Sequence, residues 1–170
     1  MLTLTSAQID QIKTHAEACY PQECCGLLLG IIEGLPDHPQ KILYALQPTD
    51  NVWDTQTDPC RRGDDHPDLT LTTARRYRIA PQDLLQAQKY ARLQGWDIIG
   101  IYHSHPDQIA VPSECDRQGA WPQYSYLIVA VEGGTAHEIQ NWVLNDQHQF
   151  QLEAMILSQD ATLSNLEASP

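Results

Sequence analysis

Residues 96–116 read WDIIGIYHSHPDQIAVPSECD, and the reading of the whole chain turns on them. The run from Trp96 to Tyr102 is mostly apolar and starts after Gly95, which predicts a strand near the centre of a sheet. Just upstream, APQDLLQAQKYARLQ places Pro81 where a first helical residue belongs, and Gly95 is a natural C-terminal stop, so a helix leads into that strand. Downstream, YSYLIVAV is a second buried strand, and HEIQNWVLN with HQFQLEAMIL reads as an antiparallel pair.

Toward the N-terminus, Thr5 and Gln8 have capping-box spacing, and Ile9, Ile12 and Ala16 recur at helical intervals. A first helix of roughly 14 residues is expected to stop near Cys19–Tyr20, before Pro21. GLLLGIIEG and Lys41–Pro48 then read as strands. Residues 50–73 are polar, with three Asp/Pro turn signals and no periodicity, and read as an insertion. The outcome is one mixed α/β (α+β) domain over residues 1–157, built on a single sheet, and a polar tail over 158–170.

Charge and composition exclude several classes of function. Ten basic against 22 acidic side chains give a formal net charge of −12, which repels phosphate backbones and disfavours a nucleic-acid partner. No apolar run reaches the roughly 18 residues a membrane helix needs. The N-terminal sequence lacks the marks of a secretory signal, so a soluble cytoplasmic protein is expected. Five cysteines in no framework, with no CxxC pair, argue for reduced thiols and against a thiolate-rich structural metal site.

Three local features bear on chemistry. His103 and His105 stand at i and i+2 at a strand end, so both imidazoles face one side and can converge on a metal; two surface histidines would look the same. Ser113-x-x-Asp116 is a helix-start signature and needs no further role, yet its turn can also bring Asp116 back over the strand end. Glu23 precedes an apolar strand, where a carboxylate is commonly just exposed or paired. Two histidines and one carboxylate leave a fourth tetrahedral position open, as a catalytic zinc requires.

Taken together, Glu23, His103-Ser104-His105, a seven-residue spacer and Ser113-Glu114-Cys115-Asp116 resemble the JAMM, or MPN-plus, metalloprotease family. PQECCGLLLG, RYRIAPQDLLQAQ and IIGIYHSHP are similar to its small stand-alone prokaryotic branch. The resemblance runs from Pro21 to about Val131. It implies a curved mixed sheet flanked by helices, similar to that of cytidine deaminases, although the deaminase signature is absent. It also implies one zinc ion per chain on His103, His105 and Asp116, with Glu23 as general base and then acid, and with Ser113 as oxyanion donor. The implied substrate is the amide bond after the Gly-Gly tail of a ubiquitin-like or sulfur-carrier protein. Two alternatives stay open: a non-catalytic scaffold that binds such a partner, and a zinc hydrolase of small amides.

Weaker signals remain. Arg61, Arg62, Arg75, Arg76 and Arg78 fall in and just after the insertion, and either guide an acidic substrate or are merely solvated. The insertion is long enough for a flap. His66 reads as a surface histidine, and Cys25 as a small buried residue beneath the site. Cys24 and Cys115 also border proposed site residues, and thiols there can compete for a metal or oxidise.

Overall fold

The computed structural model describes residues 1–35, 38–54 and 72–158. The expected tail and the centre of the insertion, including Cys60, Arg61, Arg62 and His66, lie outside the described residues. In chain order the elements are β1 (Leu2–Thr5), α1 (Ser6–Cys19), β2 (Cys25–Leu35), β3 (His38–Thr49), α2 (Pro81–Leu93), β4 (Asp97–Pro106), α3 (Glu114–Gly119), β5 (Ser125–Glu132), β6 (Thr135–Leu144), β7 (Phe150–Leu152) and β8 (Met155–Ser158). All the strands join one mixed sheet of order β7-β6-β5-β4-β2-β3-β1-β8.

Strand β4 is central, as its apolar sequence requires. It runs antiparallel to β2 and parallel to β5. Alternation along the strands then builds two cores. Leu28, Tyr102, Leu127 and Val129 pack against Ile12 and Ala16 of α1 on one face. Cys25, Leu27 and Leu29 pack against Ala87 and Ala91 of α2 on the other. Gly26 is required where Tyr102 crosses β2, because a Cβ there would lie 2.3 Å from the tyrosine ring.

Both long helices start as the sequence predicts. Thr5 Oγ1 accepts from Gln8 N at 3.1 Å, and Gln8 Oε1 accepts from Thr5 N at 2.8 Å, closing the capping box of α1. Pro81 is the first residue of α2, and Gly95 beyond its end has φ of +73°.

The C-terminal pair needs correction. Strand β7 does pair antiparallel with β6, but Met155–Ser158 crosses to the opposite edge and pairs parallel with β1, a strand the sequence reading did not separate from the helix cap. Only Glu153 and Ala154 join β7 to β8, so the sheet curls until its edges nearly meet. Glu153 N donates to Asn141 O on one side, and Leu2 N donates to Ala154 O on the other.

A buried polar cluster sits at that seam. Lys41 is fully buried; its Nζ donates to Ser125 Oγ at 3.0 Å and to Glu153 Oε1 at 3.1 Å. Glu153 also accepts from Asn141, from the Ser125 hydroxyl and from the Met1 amine. Lys41→Met leaves a buried carboxylate short of one partner and is expected to cost about 3 kcal/mol. Thermal unfolding should show a drop of roughly 10 °C; an unchanged midpoint would mean that the seam contributes nothing.

Candidate metal centre

The site grows out of the β2–β4 register. Cys25 pairs with His103, and beyond the ladder Cys24 N donates to Ser104 Oγ at 2.8 Å while Ser104 N donates to Cys24 O at 3.2 Å. Extending the register by two residues sets Glu23 opposite His105. Strand alternation points Glu23, His103 and His105 to the α2 face of the sheet. The chain then turns through residues 107–112 and re-enters at α3. There Ser113 Oγ accepts from Asp116 N at 3.2 Å and Asp116 Oδ2 accepts from Ser113 N at 2.6 Å. The helix-start reading of Ser113-x-x-Asp116 therefore holds, and the same capping box aims Asp116 at the histidines.

Three ligand atoms converge. His103 Nε2 lies 3.0 Å from His105 Nε2 and 3.5 Å from Asp116 Oδ1, and His105 Nε2 lies 3.8 Å from Asp116 Oδ2. Tetrahedral ligands at the usual zinc bond lengths sit about 3.4 Å apart, so this spacing suits one small divalent ion. His105 Nδ1 lies 2.9 Å from the carbonyl oxygen of Ile109 and so donates to it, which leaves Nε2 as the bare nitrogen a metal needs. His103 Nδ1 is buried with no hydrogen-bond partner among the described residues, while its ring stacks on Tyr77 with centroids 4.4 Å apart.

The electrostatics favour a bound cation. Burial pushes His103 down to about 4, against the pull of Asp116, so the ring is neutral at physiological pH. Burial would also lower His105, but the neighbouring carboxylates of Asp116 and Glu23 outweigh that and raise it. Asp116 is held below the usual carboxylate range: burial pushes upward, and the histidines and the Ser113 bond overcome it. Glu23 is only 6% exposed, and burial raises it to about 8 even though His105, Arg76 and Arg75 oppose the shift.

Beside Asp116 opens a cavity of about 190 Å³, walled by Tyr77, Ile79, Leu84, Ile101 and Trp121, with Arg76 also lining it. Its walls place an apolar group next to the convergent ligands.

Residues 5–145 match the family described as prokaryotic homologs of the JAB domain. The chain belongs to the prokaryotic JAB-domain family. This JAB domain is also 32% identical over 143 residues to a Haloferax volcanii protein named desampylase, which covers 81% of this chain and 86% of that one. Its fold is similar to the solution structure of a Desulfitobacterium hafniense protein, with a TM-score of 0.70 and 28% identity over 94% of each chain. A Salinibacter ruber protein superposes with a TM-score of 0.64 at 31% identity, covering 95% of this chain and 94% of that one.

Within the JAB domain, the residues singled out from sequence come together. His103, His105 and Asp116 form one cluster, Glu23 is buried beside it, and Ser113 is half-buried at the start of α3. Cys25 is buried beneath the site, as expected; burial pushes its thiol and that of Cys24 up to about 12, so neither is a thiolate at neutral pH. Among the described residues, Cys19, Cys24 and Cys25 are free thiols. Tyr77 and Asn51 escaped the sequence reading, because stacking and backbone contacts leave no spacing to recognise. No helix among the described residues is long and apolar enough to cross a membrane.

Proposed function

We propose that this JAB domain is a zinc-dependent isopeptidase that hydrolyses the amide bond after the Gly-Gly tail of a ubiquitin-like or sulfur-carrier protein. The observation that carries the reading is the convergence of two imidazole nitrogens and a carboxylate beside a buried glutamate. His103, His105 and Asp116 would hold the ion. Zinc in that place supplies Lewis acidity, polarising a scissile carbonyl and making a water more acidic.

Glu23 takes the proton from the attacking water and returns it to the leaving amine. Its carboxylate form is favoured once a cation sits among the three ligands, which counters the effect of burial. Ser113 uses its oxygen lone pair to cap α3, so its hydroxyl hydrogen stays available for the oxyanion. The apolar cavity beside Asp116 gives an aliphatic or aromatic group near the scissile bond a place to pack. The substrate class rests on the family resemblance and on the similarity to the Haloferax desampylase.

The test is a Gly-Gly-tailed carrier fused to a short peptide, incubated with zinc-loaded and with chelated protein. Cleavage after the second glycine in the loaded protein alone is the expected result. Cleavage of short Gly-Gly amides but no carrier fusion would favour the small-amide hydrolase, and binding without cleavage would favour the scaffold. Ser113→Ala should lower kcat about 100-fold with little change in KM, since the contact belongs to the transition state. A loss no larger than the effect of an uncapped α3 on folding would remove Ser113 from the chemistry.

A further inference from the structure

The stretches on either side of residues 55–71 converge on one side-chain amide. Asn51 Nδ2 donates to Glu23 O at 3.0 Å and to Arg76 O at 2.9 Å. Asn51 Oδ1 accepts from Trp53 N and from Arg78 N, each at 3.1 Å. Both donor hydrogens and both acceptor lone pairs of the amide are thus used on main-chain groups. The remaining contacts close the same knot, with Glu23 N donating to Thr73 O at 2.7 Å and Val52 N to Arg78 O at 3.0 Å.

The two bonds to Arg76 and Arg78 bracket Tyr77, the residue whose ring stacks on His103. A third bond reaches the backbone of Glu23. One side chain therefore ties the backbone that carries the proposed base to the backbone that carries the ring covering a proposed ligand. No spacing of aspartate or leucine reproduces this: the first lacks the donors and the second lacks both halves.

We propose that Asn51 is a positioning residue, which sets Glu23 and Tyr77 in register with His103 without touching substrate. Its effect on turnover rests on the isopeptidase reading; its effect on geometry does not. Loss of the clamp lets the base shift by a fraction of an ångström or more, and misplacement of that order is expected to lower kcat about 100-fold. KM should change far less than kcat, because Ile79, Leu84, Ile101 and Trp121 of the cavity beside Asp116 are not held by the amide, although Arg76 and Tyr77 are.

The experiment compares Asn51→Ala and Asn51→Asp with wild type, each zinc-loaded for kinetics and zinc-free for NMR of the His103 ring. Asn51→Asp keeps an acceptor for Trp53 N and Arg78 N but sets a carboxylate against Glu23 O and Arg76 O, and it serves as the second variant should Asn51→Ala fail to fold. The expected result is a folded protein that still takes one zinc, a His103 ring signal that loses the Tyr77 ring-current shift, and the fall in kcat. Amide exchange at Trp53 and Arg78 should quicken in Asn51→Ala and stay slow in Asn51→Asp. An unmoved His103 signal, or a moved signal with wild-type kcat, overturns the proposal. If wild type cleaves no Gly-Gly fusion, the isopeptidase reading fails by itself, and the His103 signal still decides whether Asn51 positions the site.

Discussion

Glu23→Gln is expected to keep one metal ion per chain, to lower cleavage about 10²–10⁴-fold, and to make the metal-free protein more stable at pH 8.5. The first two outcomes follow from the proposed role: glutamine cannot accept the proton, and Glu23 is not among the three convergent ligands. The third follows from burial. In the folded chain without metal the Glu23 carboxyl is raised from 4.5 to about 8, chiefly because burial penalises its charged form.

The direction of the pH effect comes from which state holds the proton more tightly. The folded chain does, so as pH rises through 4.5 the unfolded chain ionises first and stability begins to fall. The fall continues to about 8, above which both states are ionised and the loss is complete. A shift of that size corresponds to about 3 to 5 kcal/mol, the upper end applying only if the site admits no water. Glutamine carries no charge at any pH and is free of that slope. Urea unfolding of chelated wild type and Glu23→Gln at pH 4 and pH 8.5 should give similar stabilities at the lower pH and a clear gain for the variant at the higher. Parallel curves would mean that Glu23 is solvated and its burial irrelevant. A carboxylate kept where it weakens the fold is what a base held in a dry site looks like, because the same burial raises its proton affinity toward neutrality.

Much of this arrangement was legible in the sequence because it is local. The i, i+2 histidines declare a shared strand face, Ser113-x-x-Asp116 declares a helix start, and Thr5 with Gln8 declares another. Each pattern spans a few residues and has a direct geometric consequence. The seam of the sheet was not legible. Strands β1 and β8 have four residues each and pair in parallel across almost the whole chain, so no turn signal links them. Nothing in the sequence marks Lys41 beyond its place at the start of a strand, and only the curling of the sheet brings Glu153 to it. Asn51 was hidden for a related reason: its side-chain bonds go to main-chain groups, which every residue has, so nothing in the side chains it serves marks it. The pairing of Glu23 with His103, His105 and Asp116 lay between these extremes, since it came from family resemblance and not from any local rule.

The second large effect is expected from His103→Ala, which should abolish metal binding and cleavage together while leaving a folded chain. The three ligand variants do not make equally clean tests. Asp116 is also the partner of Ser113 N at 2.6 Å, so Asp116→Ala removes a ligand and uncaps α3 in the same step. Asp116→Asn keeps an acceptor oxygen for that bond and removes only the charge. His105 anchors the 107–112 turn through Ile109 O, so its loss disturbs the approach to α3. His103 carries no such second duty among the described residues: its Nδ1 has no partner, it is neutral at physiological pH, and outside the cluster with His105 and Asp116 its ring stacks on Tyr77. Alanine there leaves a cavity under the tyrosine, at a cost of about 2 kcal/mol to the metal-free fold. Against that, a metal bound by the native state alone, at a thousand times its dissociation constant, adds about 4 kcal/mol to wild type. Zinc should therefore raise the unfolding midpoint of wild type and leave that of His103→Ala unmoved, with Asp116→Asn behaving like the latter while α3 stays formed. If zinc stabilises His103→Ala as strongly as wild type, the ion sits elsewhere, and the convergence of His103, His105 and Asp116 is a hydrogen-bonded cluster with no metal to hold.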